Sequence, residues 1–259
     1  MGNSLEIEPA TSGQPRQVWD RPPHGLGILE AFDTQSDLGR VSYTPPVLAT
    51  TDLLDVTRAL AEGQDAQAVA FFQQSAGSLR ALVSSAELVF DGLRWLWDAD
   101  ELSTVDLDIA LSKLLTAFRK VATPPAMAPT PKHTSIMVAN APWDPHFQHA
   151  GMAKDLLQAE GFDVALWLGQ DENDLAKTVA AAQVDQLVIV SSPVFAHASE
   201  TRLPHFQRLA SLNGGAGVVL LGRLGLAPCQ YLERAGFAQY CLSALELPAL
   251  VATKRRAQS

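Results

Sequence analysis

Downstream of residue 130 the chain alternates between short apolar runs and amphipathic stretches. Strand-like runs stand at 134–139, 163–168, 186–191 and 217–221, with a weaker one near 238–242. Between them, helical spacing covers about 148–160, 171–182, 199–212 and 227–235. Short apolar strands separated by helices predict a parallel sheet covered on both faces. Five strands of this size fit the flavodoxin-like doubly wound order, in which the crevice at the first strand is the ligand-binding position.

Upstream, the apolar period is helical. Thr51–Leu60 carries leucines and Val56 at helical spacing, with Gly63 as a stop. Asp65–Gln74 forms a second helix. Ser78–Trp97 forms a third, with Leu82, Val89, Leu93 and Trp97 at roughly helical spacing. A fourth is capped by Leu102–Asp106 and runs through Ile109, Leu111, Leu114 and Phe118. Helices joined by loops this short predict a four-helix bundle. The stretch Thr123–Pro131 contains four prolines and reads as a stiff linker. The expected organisation is an extended arm over 1–46, a bundle over 47–122, the linker over 123–131, an α/β domain over 132–252 and a basic tail over 253–259. The arm is rich in Pro, Gly, Ser and Gln and holds Trp19 and Phe32, but no periodicity persists in it.

Composition narrows the function classes. A hydrophobic fraction of 47% and a charged fraction of 18% suit a globular chain with a sizeable core. The formal net charge of −9 argues against general nucleic-acid binding, which needs clustered Lys and Arg. The two cysteines, Cys229 and Cys241, imply no disulfide framework. Runs such as Leu187–Val190 are too short to span a bilayer, and the N-terminus lacks a basic-then-apolar signal pattern. The expected location is cytoplasmic.

The chemistry concentrates after the first strand, in Asn140–Gly151. Asp144, His146 and His149 place a carboxylate and two imidazoles within six positions, at the predicted crevice. A neutral imidazole ligates Co, Fe or Zn, and a nearby carboxylate fixes its tautomer and raises its basicity. Three readings are open for these residues alone. They are a metal or corrin site, polar loop positions with Asp144 capping the next helix, or a zinc hydrolase. The last wants three protein ligands and a positioned base, and no helix carries H-E-x-x-H.

Taken together, the bundle, the linker and the D-x-H at the first strand resemble the cobalamin-binding modules of methionine synthase and of light-sensing transcription regulators. The fingerprint of that family is D-x-H-x-x-G, a later S-x-L and a Gly pair near the fourth strand. Asp144 and His146 match its first two positions, and Leu168-Gly169 fits its second-strand ending. Ser191 or Ser192 stands at the serine position, and Gly222 matches one glycine of the pair. Trp97 with Leu102-Ser103 resembles the Trp that covers the upper corrin face. The chain departs from the pattern in three places. His149 replaces the fingerprint glycine, with Gly151 two residues on. Leu221 replaces the first glycine of the pair, and Leu107-Asp108 replaces the Glu-His of the light-regulated members. With no helix-turn-helix before the bundle, the nearest group is the AerR and PpaA type of photosynthesis regulators of purple bacteria. The related SCHIC variant of that group is thought to bind haem.

The resemblance implies a non-enzymatic sensor that binds hydroxo- or adenosylcobalamin. His146 would be the lower cobalt ligand, Asp144 would orient it, and Trp97 would shield the upper face. The candidate cofactor contacts are Asp144, His146, His149, Gly151, Ser191, Ser192, Gly222 and Trp97, and His24 is the candidate upper metal ligand. A repressor of the CrtJ or PpsR type is the implied partner. The alternatives are a corrinoid methyl carrier of a methyltransferase, a haem sensor using His146 or His149, and an interaction module without cofactor. Trp95, Trp143 and Trp167 are expected to pack, and His197 and His205 to be solvated.

Overall fold

The bundle helices begin where a side chain can take over the first amide groups. Ser78 caps Leu79–Asp98 by accepting from the Ala81 amide, and Ser103 caps Thr104–Val121 by accepting from the Asp106 amide. The computed structural model describes residues 50–75, 77–122, 130–192, 202–212, 217–222, 228–237 and 239–253. In it the bundle consists of α1 (Thr50–Ala61), α2 (Asp65–Ser75), α3 (Leu79–Asp98) and α4 (Thr104–Val121). Leu60, Phe72, Phe90, Leu93, Leu111 and Phe118 are fully buried between them. The predicted arm, residues 123–129 of the predicted linker and the basic tail lie outside the described residues.

The α/β part follows as β1 (Lys132–Asn140), α5 (Gln148–Ala159), β2 (Phe162–Trp167), α6 (Glu172–Ala182), β3 (Gln186–Val190), α7 (Leu203–Ser211), β4 (Val218–Leu221), α8 (Pro228–Ala235) and β5 (Gln239–Cys241). The strand order is β2-β1-β3-β4-β5, and every pairing is parallel. This is the flavodoxin-like order expected from the sequence. The register sets Asn140 beside Val190 and Ala139 beside Trp167, so the carboxyl ends of β1, β2 and β3 finish level. A short 3₁₀ turn, Ala244–Glu246, and α9 (Leu247–Thr253) close the described chain. The sequence pattern did not announce α9.

Because side chains alternate across a strand, each strand feeds two cores. Met137, Ala139, Leu187, Ile189 and Leu220 face one side, with residues of α6, α7 and α8 such as Leu175, Phe206 and Tyr231. Ile136, Val138, Val188, Val190 and Leu221 face the other, where they join α5, α9 and the bundle in one continuous apolar cluster. The bundle is therefore part of the sheet's second layer. Polar contacts tie the same seam: Arg119 of α4 pairs with Asp155 of α5 at 3.3 Å, and Arg80 of α3 pairs with Glu160 at 2.8 Å and donates to the Leu245 carbonyl. No described helix is long and apolar enough to cross a membrane.

Candidate functional site at the bundle–sheet seam

Strand β1 ends at Asn140, and the next seven residues carry the chain across the top of the sheet to α5. Asp144 holds this loop. Its side chain is buried, with the residue 1% exposed. Oδ1 accepts from the His146 amide at 2.9 Å, and Oδ2 accepts from the Ser192 amide at 2.6 Å. Ser192 Oγ also donates to Oδ1 at 3.4 Å, and Asn140 Nδ2 donates to the Asp144 carbonyl. The carboxylate thus joins the β1 loop to the end of β3. It does not cap α5, which begins at Gln148 with no side-chain cap. The capping alternative is therefore replaced by a structural and orienting one.

The same carboxylate sets the imidazole two residues on. His146 Nδ1 lies 3.3 Å from Asp144 Oδ1, which turns Nε2 away from the sheet and towards the bundle. There Nε2 meets Asp108 Oδ1 of α4 at 3.0 Å. His146 is buried, whereas the Asp108 side chain is 59% exposed. In the first turn of α5, His149 makes a second contact of the same kind: its Nε2 lies 3.2 Å from Glu87 Oε1 of α3. Glu87 also accepts from Ser243 Oγ at 2.6 Å and from the Ala244 amide at 2.7 Å. Burial alone would raise the Glu87 carboxyl, but the hydrogen bond and charge of His149, with the Ser243 and Ala244 donors, outweigh it and hold the carboxyl below its ordinary value. Two histidines, one in the loop and one at the start of α5, are thus each matched to one bundle carboxylate.

Around the carboxyl ends of β1 and β3 several buried polar atoms have no hydrogen-bond partner among the described residues: Asn140 Oδ1, Trp143 Nε1, Gln148 Oε1, His149 Nδ1 and Ser191 Oγ. Buried polar atoms are ordinarily satisfied, so such a concentration marks a place with unused binding capacity. Clefts of about 570 Å³ and about 320 Å³ lie elsewhere, beside α6 and the end of α7, and between α3, the end of α4 and α5. Neither is lined by the loop.

The remaining candidates fall as follows. Gly151 lies inside α5 against α4, where a Cβ would come 3.4 Å from Arg119 Nη2. Gly222 lets the end of β4 pass close to β3, since a Cβ there would come 2.9 Å from the Ser191 carbonyl oxygen. Trp97 is half-buried on the bundle side of the shared core, whereas Trp95, expected to pack, is exposed. Trp143 packs edge-on to Phe206, its centroid 4.8 Å away. His205 is half-exposed and pairs with Glu172. His24 and His197 lie outside the described residues. Among the described residues no three His, Cys, Asp or Glu are arranged to hold a metal ion, so the zinc-hydrolase alternative has no site there.

No protein-family model matches the sequence, and no curated protein does. Solved structures do match. The chain is similar to the monomethylamine corrinoid protein of Methanosarcina barkeri, with a TM-score of 0.58 and 14% identity over 79% of this chain and all of that one. A cobalamin-binding protein from Desulfitobacterium hafniense matches at 13% identity over 78% of this chain and 98% of that one, with a TM-score of 0.39. The likeness is one of fold. It rests on the Methanosarcina protein, whose whole length is spanned.

Two residues at the seam were not listed as candidates from the sequence: Glu87 and Asp108. Glu87 carries a readable signal, a carboxylate among Val83, Ala86 and Phe90 on the buried face of α3. Asp108 entered only as half of the pair that replaces the Glu-His of the light-regulated members, because its partner lies 38 residues away in a different element.

Proposed function

We propose that this chain binds cobalamin at the seam between bundle and sheet, with His146 Nε2 as the cobalt ligand, and signals the state of that cofactor to a protein partner. The observation that carries the reading is the Asp144–His146 pair: a buried carboxylate 3.3 Å from Nδ1, leaving Nε2 directed at the bundle. An imidazole so oriented is a suitable nitrogen donor for cobalt. The residues present fit the group in a second respect. Ser191 Oγ, Gln148 Oε1 and Asn140 Oδ1 are buried, unpartnered polar atoms beside it, of the kind that amide and phosphate groups of a corrinoid satisfy. The fold shared with a corrinoid protein supports the same choice.

Bound cobalamin supplies a visible chromophore and a cobalt centre that exchanges its upper ligand. The chain's own residues do the rest. Asp144 and Ser192 fix the loop, His146 presents Nε2, and the bundle covers it. A sensor that acts through a protein partner, a repressor of the CrtJ or PpsR type, agrees with the net charge of −9. The haem alternative drew on a free second imidazole, and His149 is instead engaged by Glu87. A corrinoid methyl carrier is the second reading, favoured by the fold likeness to the monomethylamine corrinoid protein.

The test is reconstitution of the dark-purified chain with hydroxocobalamin and adenosylcobalamin, with spectra before and after illumination. The expected result is stoichiometric retention with a spectrum that changes on light and is altered in His146→Ala. Retention with no response to light, together with methyl transfer from the methylated protein to a thiol, would favour the carrier. A His146→Ala spectrum identical to that of the unmodified protein would overturn the ligand assignment.

A further inference from the structure

The two carboxylates that α3 and α4 present to the loop are not equivalent. Glu87 is buried and triply engaged, by His149, Ser243 and Ala244, so it anchors α3 to both the start of α5 and the turn after β5. The Asp108 carboxylate meets His146 Nε2, and more than half of its side chain is in solvent. Val105, one turn before it, and Ile109, next in the chain, are also exposed, whereas Leu107, Ala110 and Leu111 of the same turns are buried in the shared core. An exposed carboxylate that loses its partner is rehydrated at little cost, whereas a buried one is not. The seam therefore has a fixed polar contact at Glu87 of α3 and a replaceable one at Asp108 of α4.

Proton chemistry makes Asp108 and a metal exclusive at the same atom. A carboxylate oxygen accepts, so Nε2 must carry a hydrogen to bond Asp108. A metal ligand must present the Nε2 lone pair, with the remaining N–H at Nδ1 facing Asp144. When Nε2 turns its lone pair to a metal, its hydrogen leaves to water or is relocated to Nδ1, and Asp108 loses its donor. We infer that Asp108 is a displaceable occupant of the His146 coordination position, so that metal ligation by His146 and the Asp108–His146 contact exclude one another. This rests on the cobalamin reading above and adds its regulation: occupancy of Nε2 frees the Asp108 carboxylate from the loop.

The experiment compares the full chain with Asp108→Ala, Asp108→Asn and His146→Ala. It measures hydroxocobalamin affinity by titration of the visible spectrum and backbone hydrogen exchange over residues 104–112. The expected result is an affinity about tenfold higher in Asp108→Ala, the equivalent of one lost charge-assisted hydrogen bond on the competing side. Asp108→Asn, which keeps an acceptor oxygen, should fall between. Exchange over 104–112 should rise when hydroxocobalamin is added to the unmodified chain, and should already be raised in cofactor-free Asp108→Ala. Equal or weaker binding by Asp108→Ala, with His146→Ala still altering the spectrum, overturns the competition and leaves the cofactor reading standing. Unchanged exchange on loading overturns the displacement of Asp108. A His146→Ala spectrum identical to that of the unmodified protein removes the cofactor reading and this inference with it.

Discussion

Glu87 Oε1 lies 3.2 Å from His149 Nε2, across the seam between α3 and the first turn of α5, and both side chains are almost wholly excluded from water. The glycine that the corrinoid fingerprint places at this position is thereby exchanged for an imidazole bound to a carboxylate on another element. A glycine here would serve close approach of a ligand to the backbone. His149 serves instead to fasten the bundle. In this chain the position is an internal joint between α5 and the bundle.

Acid should loosen this joint. The Glu87 carboxyl is held below its ordinary 4.5, so the unfolded chain binds the proton more readily than the folded one. Its contribution to stability is present in full above pH 4.5 and is lost as pH falls through the lower, folded value. Urea denaturation between pH 6 and 3 should show the midpoint falling, with a shallower fall in Glu87→Gln. Equal slopes in the two proteins would mean that other carboxylates dominate.

Truncation of Glu87 should be among the costliest single changes in the bundle. Glu87→Ala leaves His149 Nε2, Ser243 Oγ and the Ala244 amide without their acceptor. Breaking a buried pair by removing one partner costs about 3–5 kcal/mol. Denaturant unfolding of Glu87→Ala against the unmodified chain measures it. A loss within the range of exposed positions would mean that the three donors find other acceptors.

Gly222 offers a purely steric check on the sheet's upper edge. A Cβ at this position would stand 2.9 Å from the Ser191 carbonyl oxygen, a backbone atom that cannot swing aside. Gly222→Ala should therefore cost about 1–3 kcal/mol, the usual range for overpacking, and lower Tm. Gly77, where a Cβ meets nothing within 4 Å, is the matched control and should tolerate Ala.

The strands and most helices were legible because each buries a continuous apolar face, and such faces print a period of 2 or 3.6 on the sequence. The predicted strand at 186–191 and the observed Gln186–Val190 differ by one residue. The seven-residue α9 was missed because it is too short to show a period and carries Pro248 near its start, where proline is tolerated in a helix but reads as a breaker. Asp144 and His146 stood out as a local pair two residues apart. Asp108 did not. It lies on the exposed side of α4, and only the docking of the bundle onto the loop gives it a partner. Long-range polar pairing leaves no periodic trace.

Cys241 should be chemically silent in the folded chain. It is buried at the end of β5, where burial, together with the charges of Glu246 and Glu87, pushes the thiol well above its ordinary range. The thiolate is the reactive form. In a Cys229→Ser background, an aromatic disulfide reagent at pH 8 should titrate no thiol until urea is added, then one. Rapid reaction without denaturant would show that the end of β5 opens in the native state.

The loop itself should fail if Asp144 is removed, and the form of the failure distinguishes orientation from mere support. Asp144→Ala deprives the His146 and Ser192 amides of their acceptor inside a buried site, for an expected loss of about 2–4 kcal/mol. Asp144→Asn keeps the size and one acceptor oxygen, so it should lose less. It nevertheless places an N–H₂ group against one of the two amide donors. It also removes the negative charge 3.3 Å from His146 Nδ1, the feature that favours a hydrogen at Nδ1 and a lone pair at Nε2. Asp144→Asn should therefore bind hydroxocobalamin about tenfold more weakly than the unmodified chain, beyond anything its stability accounts for. Measuring both quantities on the same samples is decisive. Parallel losses would make Asp144 a structural clamp alone, whereas weakened ligation in a well-folded Asp144→Asn would assign it the orienting role.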